Sequence, residues 1–165
     1  MISDPLCGRS NAVRVLHIFA LYSPVEIVLS LEASPIYGGV YGEYDMETGV
    51  RACAAYVAGT LISGRRCSSI YDYGQSQHIM FSGDVSAQQV RIFDHTDGAH
   101  FTGSASGSQF SLYHYGQGHH VNLKVDGNQF SGYDFGTGSH FSGTVNGNTV
   151  AFYDYGSSGW FNYSL

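Results

Sequence analysis

His140-Phe141-Ser142-Gly143-Thr144-Val145, then Asn146-Gly147, then Asn148-Thr149-Val150-Ala151-Phe152-Tyr153: across this stretch apolar and polar side chains alternate on either side of a turn dipeptide. Alternation at period 2 reads as β-strand, because successive side chains of a strand point to opposite faces. Asn-Gly between two such runs marks a hairpin, since both central residues of a type I′ turn need positive φ, which Asn tolerates and Gly adopts freely. A two-residue turn at Asn146-Gly147 sets Val145 opposite Asn148, Gly143 opposite Val150, Phe141 opposite Phe152 and His140 opposite Tyr153. Directly opposed residues share a face. One face of the hairpin then carries Phe141, Gly143, Val145, Val150 and Phe152, and the other His140, Ser142, Thr144, Thr149, Ala151 and Tyr153.

The unit is repeated. Starts at Tyr71-Asp72-Tyr73-Gly74, Phe93-Asp94-His95, Tyr113-His114-Tyr115-Gly116, Tyr133-Asp134-Phe135-Gly136 and Tyr153-Asp154-Tyr155-Gly156 follow one another at 20 to 22 residues. A fixed period of this length means units that cannot bury their own apolar faces and stack on their neighbours. Asp126-Gly127, Ser106-Gly107 and Ser63-Gly64 occupy the turn position of earlier copies, and Gly-rich stretches such as Gly116-Gln117-Gly118 read as longer turns on the opposite edge. Carried through every copy, the pattern buries Phe101, Phe110, Leu123, Phe130, Phe141 and Phe152 together. Run backwards, it yields a more degraded hairpin in residues 56–61 and 67–71 and a first strand in residues 36–41. The expected fold is all-β: an antiparallel meander of about 12 strands built from tandem hairpins. One open sheet would leave its apolar face wet, so a closed barrel, a folded two-layer sheet or a covering element must follow.

Residues 1–34 supply the expected cover. Residues 11–31 hold Val13, Val15, Leu16, Ile18, Phe19 and Leu21, then Val25, Ile27, Val28, Leu29 and Leu31. Arg14, His17, Pro24 and Glu26 interrupt that run, which argues against a transmembrane span. A helix or plug on the apolar face is the preferred reading, with a signal peptide as its competitor. The expected division is therefore 1–34 for this segment and 35–165 for the repeat domain, with cytoplasm and secretion both open.

Charged residues make up only 12% of the chain, about half the usual share, and the net charge is −6. With no basic stripe, nucleic acid is not an expected partner. Cys7, Cys53 and Cys67 are odd in number and irregularly spaced, so neither a disulfide framework nor a Cys-x-x-Cys zinc site is expected.

The repeat creates two columns. His100, His120 and His140 recur seven residues after each start, with His78 and Trp160 in the equivalent places of the first and last copies. The derived register sets His100, His120 and His140 opposite Tyr113, Tyr133 and Tyr153. Asp72, Asp94, Asp134 and Asp154 form the second column, with His114 substituting once. The plain reading is consensus architecture, with Tyr packed on its cross-strand His and Asp capping a turn. The functional reading is a recognition surface of His100, His120, His140, Tyr113, Tyr133, Tyr153 and Trp160, bordered by the Asp column. No metal site is expected, because one His per hairpin recurs about 10 Å away, two strands over, and His119 and His120 point to opposite faces. No cofactor is expected, since Gly136-Thr137-Gly138 opens no helix. No nucleophile elbow, phosphate loop or His-Glu-x-x-His motif occurs.

The tandem Tyr-Asp-Tyr-Gly units and the ending Trp160-Phe161-Asn162-Tyr163-Ser164-Leu165 resemble uncharacterised bacterial proteins built of short tyrosine-rich β-repeats, over residues 44–165. That resemblance brings no activity, ligand or site residue with it. The hairpin-per-repeat layout is also similar to membrane-occupation-and-recognition-nexus repeats, but their Gly-x-Trp-Gly spacing is missing. The expected function is non-enzymatic binding of a glycan or a protein through the Tyr/His/Asp face. The alternatives are a self-assembling structural subunit, such as a β-solenoid or fibre-forming surface protein, and a hydrolase, for which the scattered Ser, His and Asp residues give little support.

Overall fold

The computed structural model describes residues 45–165. The apolar segment, the strand expected at 36–41 and the boundary expected at 34 lie outside the described residues. The chain forms a helix, α1 (Thr48–Ser63), followed by β1 (Ser69–Asp72), β2 (Gln77–Val85), β3 (Gln89–Asp94), β4 (Ala99–Ser106), β5 (Gln109–His114), β6 (His119–Asp126), β7 (Gln129–Asp134), β8 (Ser139–Asn146), β9 (Thr149–Asp154) and β10 (Gly159–Ser164). Each strand pairs antiparallel with the next, and the meander closes into a barrel where β1 meets β10, Tyr71 opposite Ser164 and Asp72 opposite Tyr163. Closure satisfies the edge strands of the sheet and puts the apolar face inside. A solenoid is thereby excluded.

Inside are Phe101, Phe110, Leu123, Phe130, Phe141 and Phe152, all buried as the alternation requires. The pairing differs from the expected one by two residues: Val145 lies opposite Val150, Gly143 opposite Phe152, and Asn146 opposite Thr149. The turn is therefore Gly147-Asn148, with Gly147 at φ 61° and Asn146 in the strand. Positive φ at the first central position alone is the type II′ arrangement, which requires Gly there. Gly107 and Gly127 repeat it at φ 64° and 59°. A slip of one residue would have turned every side chain to the other face, but a slip of two leaves the faces unchanged. For the same reason the extra Ile79-Met80 of the first copy is absorbed within β2, and His78 still faces Tyr71.

One strand expected within the described residues is absent. Residues 56–61 belong to α1, and Ser63-Gly64 is its C-terminus: Gly64 sits at φ 69° and donates its N–H to the Thr60 carbonyl. The next strand starts only at Ser69, so the described residues hold ten strands. α1 touches β3 and β8 on opposite sides of the ring, so it fills the lumen. Every residue from Val50 to Thr60 is buried. A helix buried all round carries no amphipathic stripe, and Ala52, Cys53, Ala54, Ala55, Ala58 and Gly59 keep it thin enough for a barrel already lined with Phe. The rings are accommodated by glycines on the facing strand. Phe130 lies opposite Gly143 and Gly132 opposite Phe141, and a Cβ on Gly143 or Gly132 would come within 2.2 Å of that ring.

Candidate functional site

One mouth of the barrel is formed by the four-residue turns that begin at Tyr73, His95, Tyr115, Phe135 and Tyr155. Just before each turn, at the inner end of its strand, stand Asp72, Asp94, His114, Asp134 and Asp154, all buried. The Asp side chains cap their turns: Asp72 Oδ1 accepts from Gly74 N–H at 2.8 Å, Asp94 Oδ1 from Thr96 at 2.7 Å, Asp134 Oδ1 from Gly136 at 3.0 Å and Asp154 Oδ1 from Gly156 at 2.9 Å. An acceptor placed two residues before an N–H is the geometry of an Asx-turn. The Asp column thus points inward and does not share the Tyr/His face, because its residues are one step out of phase with the tyrosines.

His114 caps in the same way through its ring: Nδ1 accepts from Gln117 N–H at 3.1 Å, while Nε2 is buried with no hydrogen-bond partner among the described residues. Burial pushes its pKa below the usual histidine value. Asp94 is pushed up by burial, against the two backbone N–H groups of Thr96 and Asp97 that favour its charged form. The cation at this mouth is Arg51 on α1. Its Nη1 lies 3.5 Å from Asp154 Oδ2 and 3.3 Å from Asp45 Oδ1, its Nε donates to the Tyr163 hydroxyl at 3.2 Å, and its guanidinium lies 3.4 Å from the Phe161 ring centre. Burial drives the Tyr163 pKa to about 12, so its hydroxyl stays protonated. Burial likewise holds the Cys53 thiol well above its ordinary range, leaving it a packing residue beside Asp94.

The outer face at the same end carries the aromatic residues. His120 lies opposite Tyr113 with ring centres 4.8 Å apart, His140 opposite Tyr133 at 4.8 Å, Trp160 opposite Tyr153 at 5.0 Å and His100 opposite Phe93 at 4.9 Å. Each His therefore pairs with the aromatic residue of its own copy. The expected partners across the hairpin, Tyr113 for His100, Tyr133 for His120 and Tyr153 for His140, instead face Thr102, Asn122 and Ser142, as the two-residue slip dictates. His100, His120, His140 and Trp160 are exposed, Trp160 at 64%, while Tyr113, Tyr133 and Tyr153 are half-buried.

A third column went unread in the sequence. Tyr73, Tyr115, Phe135 and Tyr155 are exposed and stand edge-to-face against Tyr71, Tyr113, Tyr133 and Tyr153 at 4.8–5.0 Å, with His95 playing the same part beside Phe93. The signal was present, since residues i and i+2 of Tyr-x-Tyr-Gly share a face. His100 also meets Tyr115 of the next copy edge-on at 6.4 Å, and the rings together form an aromatic belt at this end of the outer face.

Below the belt the outer surface is small and polar, with Thr102, Ser111, Asn122, Ser131 and Ser142 on the strands. Two open grooves lie here. One, of about 710 Å³, runs between Arg91, His100, Tyr113 and His120 over Thr102 and Ser111, and the other, of about 550 Å³, between Lys124, Tyr133, His140 and Tyr155 over Ser131 and Ser142. A smaller groove of about 330 Å³ reaches Trp160. Ser82 Oγ lies 2.9 Å from His95 Nε2 on the exposed rim, but no carboxylate orients the other ring nitrogen among the described residues. Among the described residues, no three His, Cys, Asp or Glu side chains are gathered as a metal would need, and no helix is long and apolar enough to cross a membrane. No family model, curated protein or solved structure matches the chain.

Proposed function

We propose that the barrel is a non-enzymatic glycan-binding module whose ligand lies in the outer grooves and stacks on the aromatic belt. The observation that carries this reading is the cross-strand ladder of Tyr113–His120 and Tyr133–His140, each pair walling a groove floored by Ser, Thr and Asn. A pyranose offers an apolar ring face and a rim of hydroxyls, which an aromatic ring beside short polar side chains satisfies together. The groove volumes fall in the range of small-molecule sites. A protein partner would need about 800 Å² on each side, whereas the short Ser- and Thr-lined floors between the rings suit a hydroxyl-bearing ligand of groove size. Assembly by strand addition, the competing structural reading, needs a free edge, and closure of the barrel removes it. A hydrolase needs converging acid, base and nucleophile, for which the Ser82–His95 contact is insufficient.

The test is a glycan array followed by calorimetric titration with Tyr133→Ala and Trp160→Ala. Each lost ring should weaken binding several-fold, corresponding to about 1 kcal/mol, with thermal unfolding nearly unchanged for exposed Trp160. A chain that binds no glycan on the array, or variants that bind as the parent does, would overturn the assignment.

A further inference from the structure

Resting on that glycan reading, we propose that the ligand is an acidic glycan, a pyranose bearing a carboxylate, whose charge is recognised by Arg91 in one groove and Lys124 in the other. Two positions depart from the repeat. Arg91 stands where Ser111, Ser131 and Ala151 stand in later copies, and Lys124 stands where Ser104 and Thr144 stand. A short side chain is what the barrel wall carries at those positions, so neither cation is needed for packing. Both are exposed on the outer face. Each lines one of the two grooves beside its aromatic pair.

Among the described residues neither has a carboxylate within ion-pair distance. Lys124 lies between Gln109 and Ser131 on the neighbouring strands. Arg91 has Asp84 as its cross-strand neighbour, yet no ion pair forms between them. In the amide orientation that satisfies both side chains, the Gln89 oxygen instead accepts from Arg91 Nε and Nη2, both at 3.0 Å. That contact orients the guanidinium away from an ion pair with Asp84. With a net charge of −6 the chain as a whole repels an anion, so attraction must come from these local cations. A uronic acid ring presents its carboxylate at the ring edge, a few ångströms from the face that stacks. The grooves offer the matching pair, an aromatic wall and a cation beside it. Arg and Lys suit a carboxylate through charge-assisted hydrogen bonds.

The experiment titrates uronate oligosaccharides, each matched to its carboxyl-reduced neutral counterpart, into the parent chain, into the double variant Arg91→Ser, Lys124→Ser and into Tyr133→Ala. The double variant restores the small residue that other copies carry, so it folds. The parent should bind the acidic member about tenfold tighter than the neutral one, with an advantage that shrinks at high salt. The double variant should bind both equally, and Tyr133→Ala should weaken both. Equal binding of acidic and neutral sugars by the parent, or an acidic preference that survives in the double variant, overturns the charge assignment while leaving the stacking reading intact. Failure of every sugar to bind overturns both.

Discussion

His114 is the one member of the inward column that is not an aspartate, and that single substitution gives the barrel a pH response. Its folded pKa is depressed by burial, while Asp97, Asp94 and Asp134 pull it up and His119 pushes it further down. The unfolded value is about 6.5. Between the two values the unfolded chain holds a proton that the folded chain does not. The stability this neutral ring provides is therefore complete above about pH 6.5 and is lost as pH falls toward the folded pKa. Protonation also occupies Nδ1, the acceptor for Gln117 N–H. The urea midpoint should fall between pH 7.5 and 5.5, and His114→Asn, which can cap the turn without titrating, should flatten that slope. A variant with the parent's slope would sink the assignment. Asp94 and Asp45 have raised pKa values and act with the opposite sign, favouring the fold as pH drops through their own range, so the comparison belongs above pH 5.5.

Within the β7–β8 pair, stability depends on which face a change touches. Gly143 and Gly132 leave room for Phe130 and Phe141, and an added Cβ on either would strike both a ring and a backbone carbonyl oxygen, Ala151 O at Gly143 and Asn122 O at Gly132. Gly143→Ala should cost about 1–3 kcal/mol or more by overpacking, whereas Ser142→Ala on the outer face should be nearly silent in chemical denaturation. At the adjoining turn Gly147 faces open space, so crowding is not its constraint. Its φ of 61° is the constraint, and Gly147→Val should cost about 1–3 kcal/mol. Equal sensitivity at Ser142 and Gly143 would contradict a one-sided core.

Across the barrel the central helix makes the design cohere. α1 contributes Arg51, whose guanidinium joins Asp45, Asp154, Tyr163 and Phe161 at the mouth. Arg51→Met preserves the bulk but leaves Asp154 buried without its cation, and removing one partner of a buried pair typically costs about 3–5 kcal/mol. A midpoint shift equivalent to less than 1 kcal/mol would show that the mouth admits water to Asp154. Phe141→Ala tests the packing between wall and helix, with an expected loss of about 3–5 kcal/mol where the site cannot collapse.

Local pattern alone determined the repeat, the strand periodicity and the sorting of side chains onto two faces, because period-2 alternation is a property of neighbouring residues. It also placed the turn glycines and the capping aspartates, whose roles involve residues two or three apart. Three things were decided by the tertiary structure. The pairing register slipped by two, since alternation constrains only odd against even and leaves slips of two open. The residues around Tyr56 became a helix because a closing barrel needs a thin, apolar filler. Burial on every side erased the amphipathic stripe by which a helix is ordinarily read, and 56–61 passed for a strand. Finally, the aromatic residues formed a belt with grooves beneath it only when closure curved the sheet and brought each His beside the ring of its own copy. Such pairing depends on which strands become neighbours and at what stagger, information that no stretch of one strand contains.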